Sequence, residues 1–77
     1  MKLIENEKEF LWDRKIGLEL TVEEFAILIS CLWVTYPYEV ANSSKKNLGR
    51  EIKNIDATLS DKMYNMAEEG TELFKKL

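Results

Sequence analysis

Between Thr21 and Pro37 the chain runs Phe25, Ala26, Ile27, Leu28, Ile29, Ser30, Cys31, Leu32, Trp33, Val34, ten residues of which only Ser30 is polar. The flanks specify a helix. Thr21 followed three residues later by Glu24 is a capping box, in which each side chain satisfies the other's backbone amide. Glu23 and Glu24 suit the positive end of the helix. Pro37 cannot continue a helix and pushes Tyr36 toward extended geometry. Ile29, Trp33, Val34 and Tyr36 would also suit a buried strand, but the length of the run and the capping box favour a helix over about 22–36. A surface helix keeps a polar stripe and this one has none, so it is expected to be a buried helix, too apolar all round for a 77-residue monomer to cover by itself.

The chain around it is short. Seventy-seven residues hold one core and a single domain, 1–77. A domain of that size buries only roughly 60 to 65% of its unfolded surface, so a disulfide, a metal or a partner chain is expected to add stability. Cys31 is the only cysteine and histidine is absent, so neither an intrachain disulfide nor a zinc cage can form. Association is left by elimination, and a homodimer is the expected assembly. The apolar run is half the length of about 20 residues that a bilayer-spanning helix needs, and the acidic start (Glu5, Glu7, Glu9) lacks the apolar region of an export signal. No membrane contact is expected, and the location expected is the reducing cytoplasm.

From Leu48 onward the apolar positions are Leu48, Ile52, Ile55, Leu59, Met63, Met66, small Gly70, Phe74 and Leu77. Their spacing averages about 3.6, the period of a straight α-helix. With Ser44 as N-cap, a long C-terminal helix over about 45–76 is expected to fold back on the first. Continuous, it would be roughly 48 Å long. The alternative is a break near 57–60, where Thr58 and Asp61 could form a second capping box. The unbroken apolar register favours continuity.

The first twenty residues allow two readings. Phe10, Trp12, Ile16, Leu18 and Leu20 share one parity, which is strand periodicity, with a turn at Asp13, Arg14 and Lys15. That gives a short extended or β-hairpin segment over about 8–20, with strand favoured for Ile16 to Leu20. Asn6 and Glu9 as a capping box, with Lys15 and Gly17 as stop signals, would instead make a short helix. The fold class expected is therefore mainly α, with an N-terminal extended arm.

Catalysis finds few candidates. No histidine can act as general acid or base, and Cys31, amid Ile29, Leu32 and Trp33, reads as a small buried hydrophobe rather than a nucleophile. The acidic pairs Glu23–Glu24 and Glu68–Glu69, with Glu72, read as a solvated face rather than a cation site, since no spaced calcium-loop pattern occurs. The three glycines are isolated, so no phosphate loop exists. Neither an enzyme nor a cofactor is expected.

Two surface features carry interaction chemistry. Trp33, Tyr36 and Tyr38 put three aromatics at one helix end, the residue types that dominate protein interfaces, and are the candidate partner-binding residues. Lys45, Lys46, Arg50 and Lys53 form the one basic cluster, and on a helix Lys46, Arg50 and Lys53 would share a face fit for phosphates. Against that stands a net charge of −3, with an acidic segment Met1 to Glu24 that this cluster could complement. Nucleic acid is thus a secondary expectation.

The stretch Ile16 to Leu28 resembles the strand-then-helix opening of winged-helix DNA-binding domains of response regulators. A turn, second helix, basic recognition helix and closing hairpin should follow in that family. Here one helical register follows instead, and the chain is not assigned to it.

Nine lysines against two arginines, with frequent Ile, Asn and Glu, hint at AT-rich coding and hence at a low-GC bacterium or its phage. The function expected first is a small non-catalytic protein that inhibits or adapts another macromolecule, in the manner of a phage or mobile-element anti-defence protein. The alternatives are a dimeric nucleic-acid-binding regulator and a structural oligomer such as a phage-particle component.

Overall fold

The computed structural model describes residues 1–4, 10–54 and 57–77, and is mainly helical. Helix α1 spans Val22–Val34 and opens on the expected capping box. The Glu24 amide donates to Thr21 Oγ1 at 3.1 Å and the Thr21 amide to Glu24 Oε1 at 2.9 Å. It ends at extended Thr35 and Tyr36.

Pro37 does more than stop α1. It occupies the first turn of a second helix, α2 (Pro37–Ser43), where its missing N–H is no loss and its fixed φ already suits the helix. Read only as a stop, this proline concealed α2. Ser44, expected as an N-cap, lies in a π-helical turn (Ser44–Leu48) that continues α2 and is itself buried, its hydroxyl donating to the Arg50 carbonyl. Gly49 then adopts the left-handed region at φ 69°, which ends the helical path.

The continuous helix over about 45–76 is therefore replaced by its broken alternative. Helix α3 spans Thr58–Lys75, and the expected Thr58–Asp61 capping box is absent because Ala57 holds the N-cap position with no side-chain cap. A register of apolar residues survives a break in the helix because residues in an extended segment can still point at the same core. Ile52 does so from outside any helix, half-buried.

Helices α1 and α3 pack antiparallel. Phe25 meets Phe74 with ring centroids 6.2 Å apart, and Trp33 meets Tyr64 edge-on at 5.8 Å. Between those pairs, Ile29 lies over Gly70, where a Cβ would come within 2.1 Å of Ile29 Cδ1. The face of α3 that α1 covers is Leu59, Met63, Ala67 and Gly70. Ala67, 1% exposed, takes the place the apolar register gave to Met66, because a small residue lets the backbones approach closely.

The N-terminal arm is a hairpin of two very short strands, β1 (Lys2–Leu3) and β2 (Leu18–Glu19), paired antiparallel with Leu3 opposite Leu18. It is wider than the expected 8–20 segment. Its ladder extends through the Ile4 amide to the Gly17 carbonyl at 2.8 Å, and the turn falls at Leu11 to Arg14 rather than Asp13 to Lys15. The alternative capping box at Asn6 and Glu9 lies outside the described residues. Phe10 and Trp12 stack edge-on at 4.9 Å, and the Arg50 guanidinium sits 4.2 Å above the Phe10 ring.

Candidate functional site

The site residues expected at the end of α1 are brought together, though not equivalently. Trp33 is anchored, its indole N–H donating to Thr71 Oγ1 at 2.9 Å while the Thr71 hydroxyl donates to the Ala67 carbonyl at 2.7 Å. Tyr36 and Tyr38 stack nearly parallel, 5.9 Å between centroids, and both are more than half exposed. Thr35 and Tyr36 are extended, so the two tyrosines straddle the turn from α1 into α2 and project together. A cleft of about 360 Å³ runs beside them, lined by Trp33, Tyr36, Pro37, Ser60 and Tyr64 among others. It has an aromatic floor, no charged lining residue, and a shape open enough to receive a side chain from another protein.

The basic cluster is dispersed. Lys45 and Lys46 lie on the π-helical turn, Arg50 follows Gly49 and reaches Phe10, and Lys53 lies in the segment that follows. The helical face expected to unite Lys46, Arg50 and Lys53 does not form, since the helical path ends at Leu48. Left-handed Gly49 turns the chain away.

The outer side of α1 is uncovered within one chain. No residue of this helix is buried. Phe25, Ile29 and Leu32 are half-buried on the side of α3, whereas Ile27 is 54% and Val34 78% exposed, and Cys31 is exposed rather than the buried hydrophobe expected. Spacings of four and three put Ile27, Cys31 and Val34 on one stripe, away from Phe25, Ile29 and Trp33. The absence of a polar stripe already made this helix too apolar for one copy of the chain to cover, and only the burial expected of Cys31 is overturned.

At the other end, the amino terminus of Met1 reaches the Glu24 carboxylate at 2.8 Å. That contact, then the Thr21 amide, holds the Glu24 carboxyl below its ordinary value. Among the described residues no group of three or more His, Cys, Asp or Glu could hold a metal ion, and no helix is long and apolar enough to cross a membrane. Around the end of α1 the structure presents apolar and aromatic contact surface. Comparison with protein-family models, with curated proteins and with solved structures finds no match to this chain.

Proposed function

We propose that this chain is a non-catalytic interaction protein that works as a cytoplasmic homodimer, inhibiting or adapting another macromolecule through Trp33, Tyr36 and Tyr38. One observation carries the reading. The chain exposes 6738 Å² at a mass of 9.0 kDa. A compact monomer of that mass exposes about 4,900 Å² by the usual scaling. The surplus of about 1,800 Å² over the whole chain exceeds the roughly 800 Å² per partner of a standard interface. Its composition agrees, because Trp33, Tyr36, Tyr38, Ile27, Leu28 and Val34 are all among the exposed large side chains. Aromatic residues of this kind form the centres of interfaces. The lysine-rich, AT-biased sequence supports a phage or mobile-element origin, where small proteins acting on host machinery are expected.

The test is affinity capture from a low-GC bacterial lysate, with the intact chain and a Tyr36→Ser, Tyr38→Ser variant side by side. The reading expects a stoichiometric protein retained by the first and lost by the second. Capture of nothing stoichiometric refutes it. Salt-sensitive retention of nucleic acid would point instead to a regulator using Lys45, Lys46, Arg50 and Lys53, and higher-order self-assembly alone to a structural oligomer.

A further inference from the structure

We infer that the outer stripe of α1, Ile27, Cys31 and Val34, is the seam on which two copies of this chain pair, with the two α1 helices antiparallel across a two-fold axis near Cys31. The inference rests on the functional reading only in taking the protein to be a dimer; it assigns the face.

Three observations select this face and this occupant. The first is the contrast between the two packed helices. The side of α3 turned from α1 carries Asp61, Lys62, Asn65, Glu68, Glu69 and Glu72, all exposed, as a surface helix should. The side of α1 turned from α3 carries Ile27, Cys31 and Val34, with Glu23 and Ser30 along one edge and Glu24, paired with the Met1 ammonium, at its N-terminal end. One face of the molecule is built for water and the opposite face is not.

The second is dimension. The molecule measures 34 × 30 × 19 Å, and its 19 Å thickness is about two helix layers. A two-layer slab has no depth in which to bury a helix on both sides, so the outer side of α1 stays exposed. The radius of gyration, 13.4 Å, exceeds the roughly 11.5 Å of a compact chain of this length. Stacking a second slab on the α1 face gives α1 its missing cover, and the surplus of about 1,800 Å² over the whole chain leaves room for the roughly 800 Å² per copy of a standard interface there.

The third is charge. Glu23 and Glu24 sit at the start of α1 and no basic residue sits in its last turn. A parallel pair would place both acidic ends together and align the helix dipoles, whereas an antiparallel pair separates them. Antiparallel pairing is self-complementary about the middle of the stripe, with Ile27 of one copy against Val34 of the other. Cys31 then lies beside the axis.

The experiment is light scattering on the full chain across micromolar concentrations, with the Ile27→Lys, Val34→Lys variant for comparison. Both replaced side chains are exposed. Lys at 27 gains Glu23 four residues before it, and Lys at 34 suits the helix C-terminus, so the helix itself is preserved. The expected result is twice the 9.0 kDa chain mass for the unaltered protein and the single mass for the variant. A monomeric unaltered protein overturns the inference, as does a variant that stays dimeric.

Should the variant lose its far-UV helicity, the Cys31 thiol of the unaltered protein decides. Its reaction with a disulfide reagent is expected to slow about tenfold as rising concentration empties the monomer pool. A rate independent of concentration overturns the seam. A monomer that still captures its target through Tyr36 and Tyr38 would end this inference and leave the binding role standing; a dimer that captures nothing would do the reverse.

Discussion

Gly70 sets two effects of similar size against each other. Ala in place of Gly inside a helix stabilises by about 0.8 to 1 kcal/mol. The added methyl, however, would lie 2.1 Å from Ile29 Cδ1 and 3.0 Å from Cγ1. Ile29 must leave its preferred rotamer, and overpacking of that kind costs about 1 to 3 kcal/mol. Gly70→Ala is therefore expected to destabilise by about 1 kcal/mol net, although it improves helix propensity. Ile29→Val deletes Cδ1, the atom in the way. Alone it should cost about 0.5 to 1 kcal/mol, the lower part of the range for that change, because Ile29 is only half-buried.

Together the two should not add. With Cδ1 gone, the closest approach relaxes from 2.1 Å to the 3.0 Å of Cγ1, a gap that a shift of a few tenths of an ångström opens, so the double variant should come close to or match Ile29→Val alone. The coupling is about 1 to 2 kcal/mol in the favourable direction. Thermal unfolding followed by circular dichroism at one fixed protein concentration would read it, since 1 kcal/mol shifts the midpoint by about 4 to 8 °C in a chain of this size. An additive double variant, or a Gly70→Ala protein more stable than the parent, would refute the close approach of α1 and α3 at this point.

Local geometry sets three further outcomes. Gly49→Ala should cost about 1 to 2 kcal/mol in denaturant unfolding, since φ 69° is left-handed, and Gly49→Asn should cost less. Thr71→Val keeps the side-chain shape but removes the acceptor of the Trp33 indole N–H, for a loss of about 0.5 to 1 kcal/mol that should nearly vanish in a Trp33→Phe background. Glu24 has its carboxyl held below 4.5 by the Met1 ammonium and the Thr21 amide, so its stabilisation is complete above that value and is lost as pH falls through the lower folded-state value. Glu24→Gln should flatten the dependence of stability on pH below 4.5, as unfolding at a series of acid pH values would show.

The legible parts of the fold were those written in local chemistry. The Thr21–Glu24 box placed the start of α1 to the residue, because a cap is satisfied by its own neighbours. The strand at Leu18 and Glu19 was readable from parity, but its partner at Lys2 and Leu3 was not, since two residues carry no periodicity. The break at Gly49 was concealed by an apolar register that ran through it. Pro37 was ambiguous in principle, for the same residue that cannot follow a helical turn is well placed to begin one. The exposed aromatics at the end of α1 are legible by residue type. Lys46, Arg50 and Lys53 share no helical face because Gly49 ends the helical path.

The residues make α1 too apolar for a chain of this size to cover, and the structure leaves its outer side exposed, which is the ground for the proposed pairing. α3 buries one side, Leu59, Met63, Ala67 and Gly70, and carries Asp61, Lys62, Asn65, Glu68, Glu69 and Glu72 on the other, with Tyr64, Met66 and Leu73 exposed along the flanks. It needs one neighbour and has one. α1 is apolar on both sides and has one neighbour as well, with α3 against Phe25 and Ile29 while Ile27 and Val34 stay more than half exposed. A third layer could come only from residues outside α1 and α3. The hairpin arm joins them at the N-terminal end of α1, where Met1 meets Glu24, and α2 leaves from the other end. Among the described residues, neither covers the outer stripe. Covering it from within would take another helix of the length of α1, and the described elements hold none besides α3, which is already engaged on the inner side. Each copy's α1 is a helix of that length, with an apolar side facing outward.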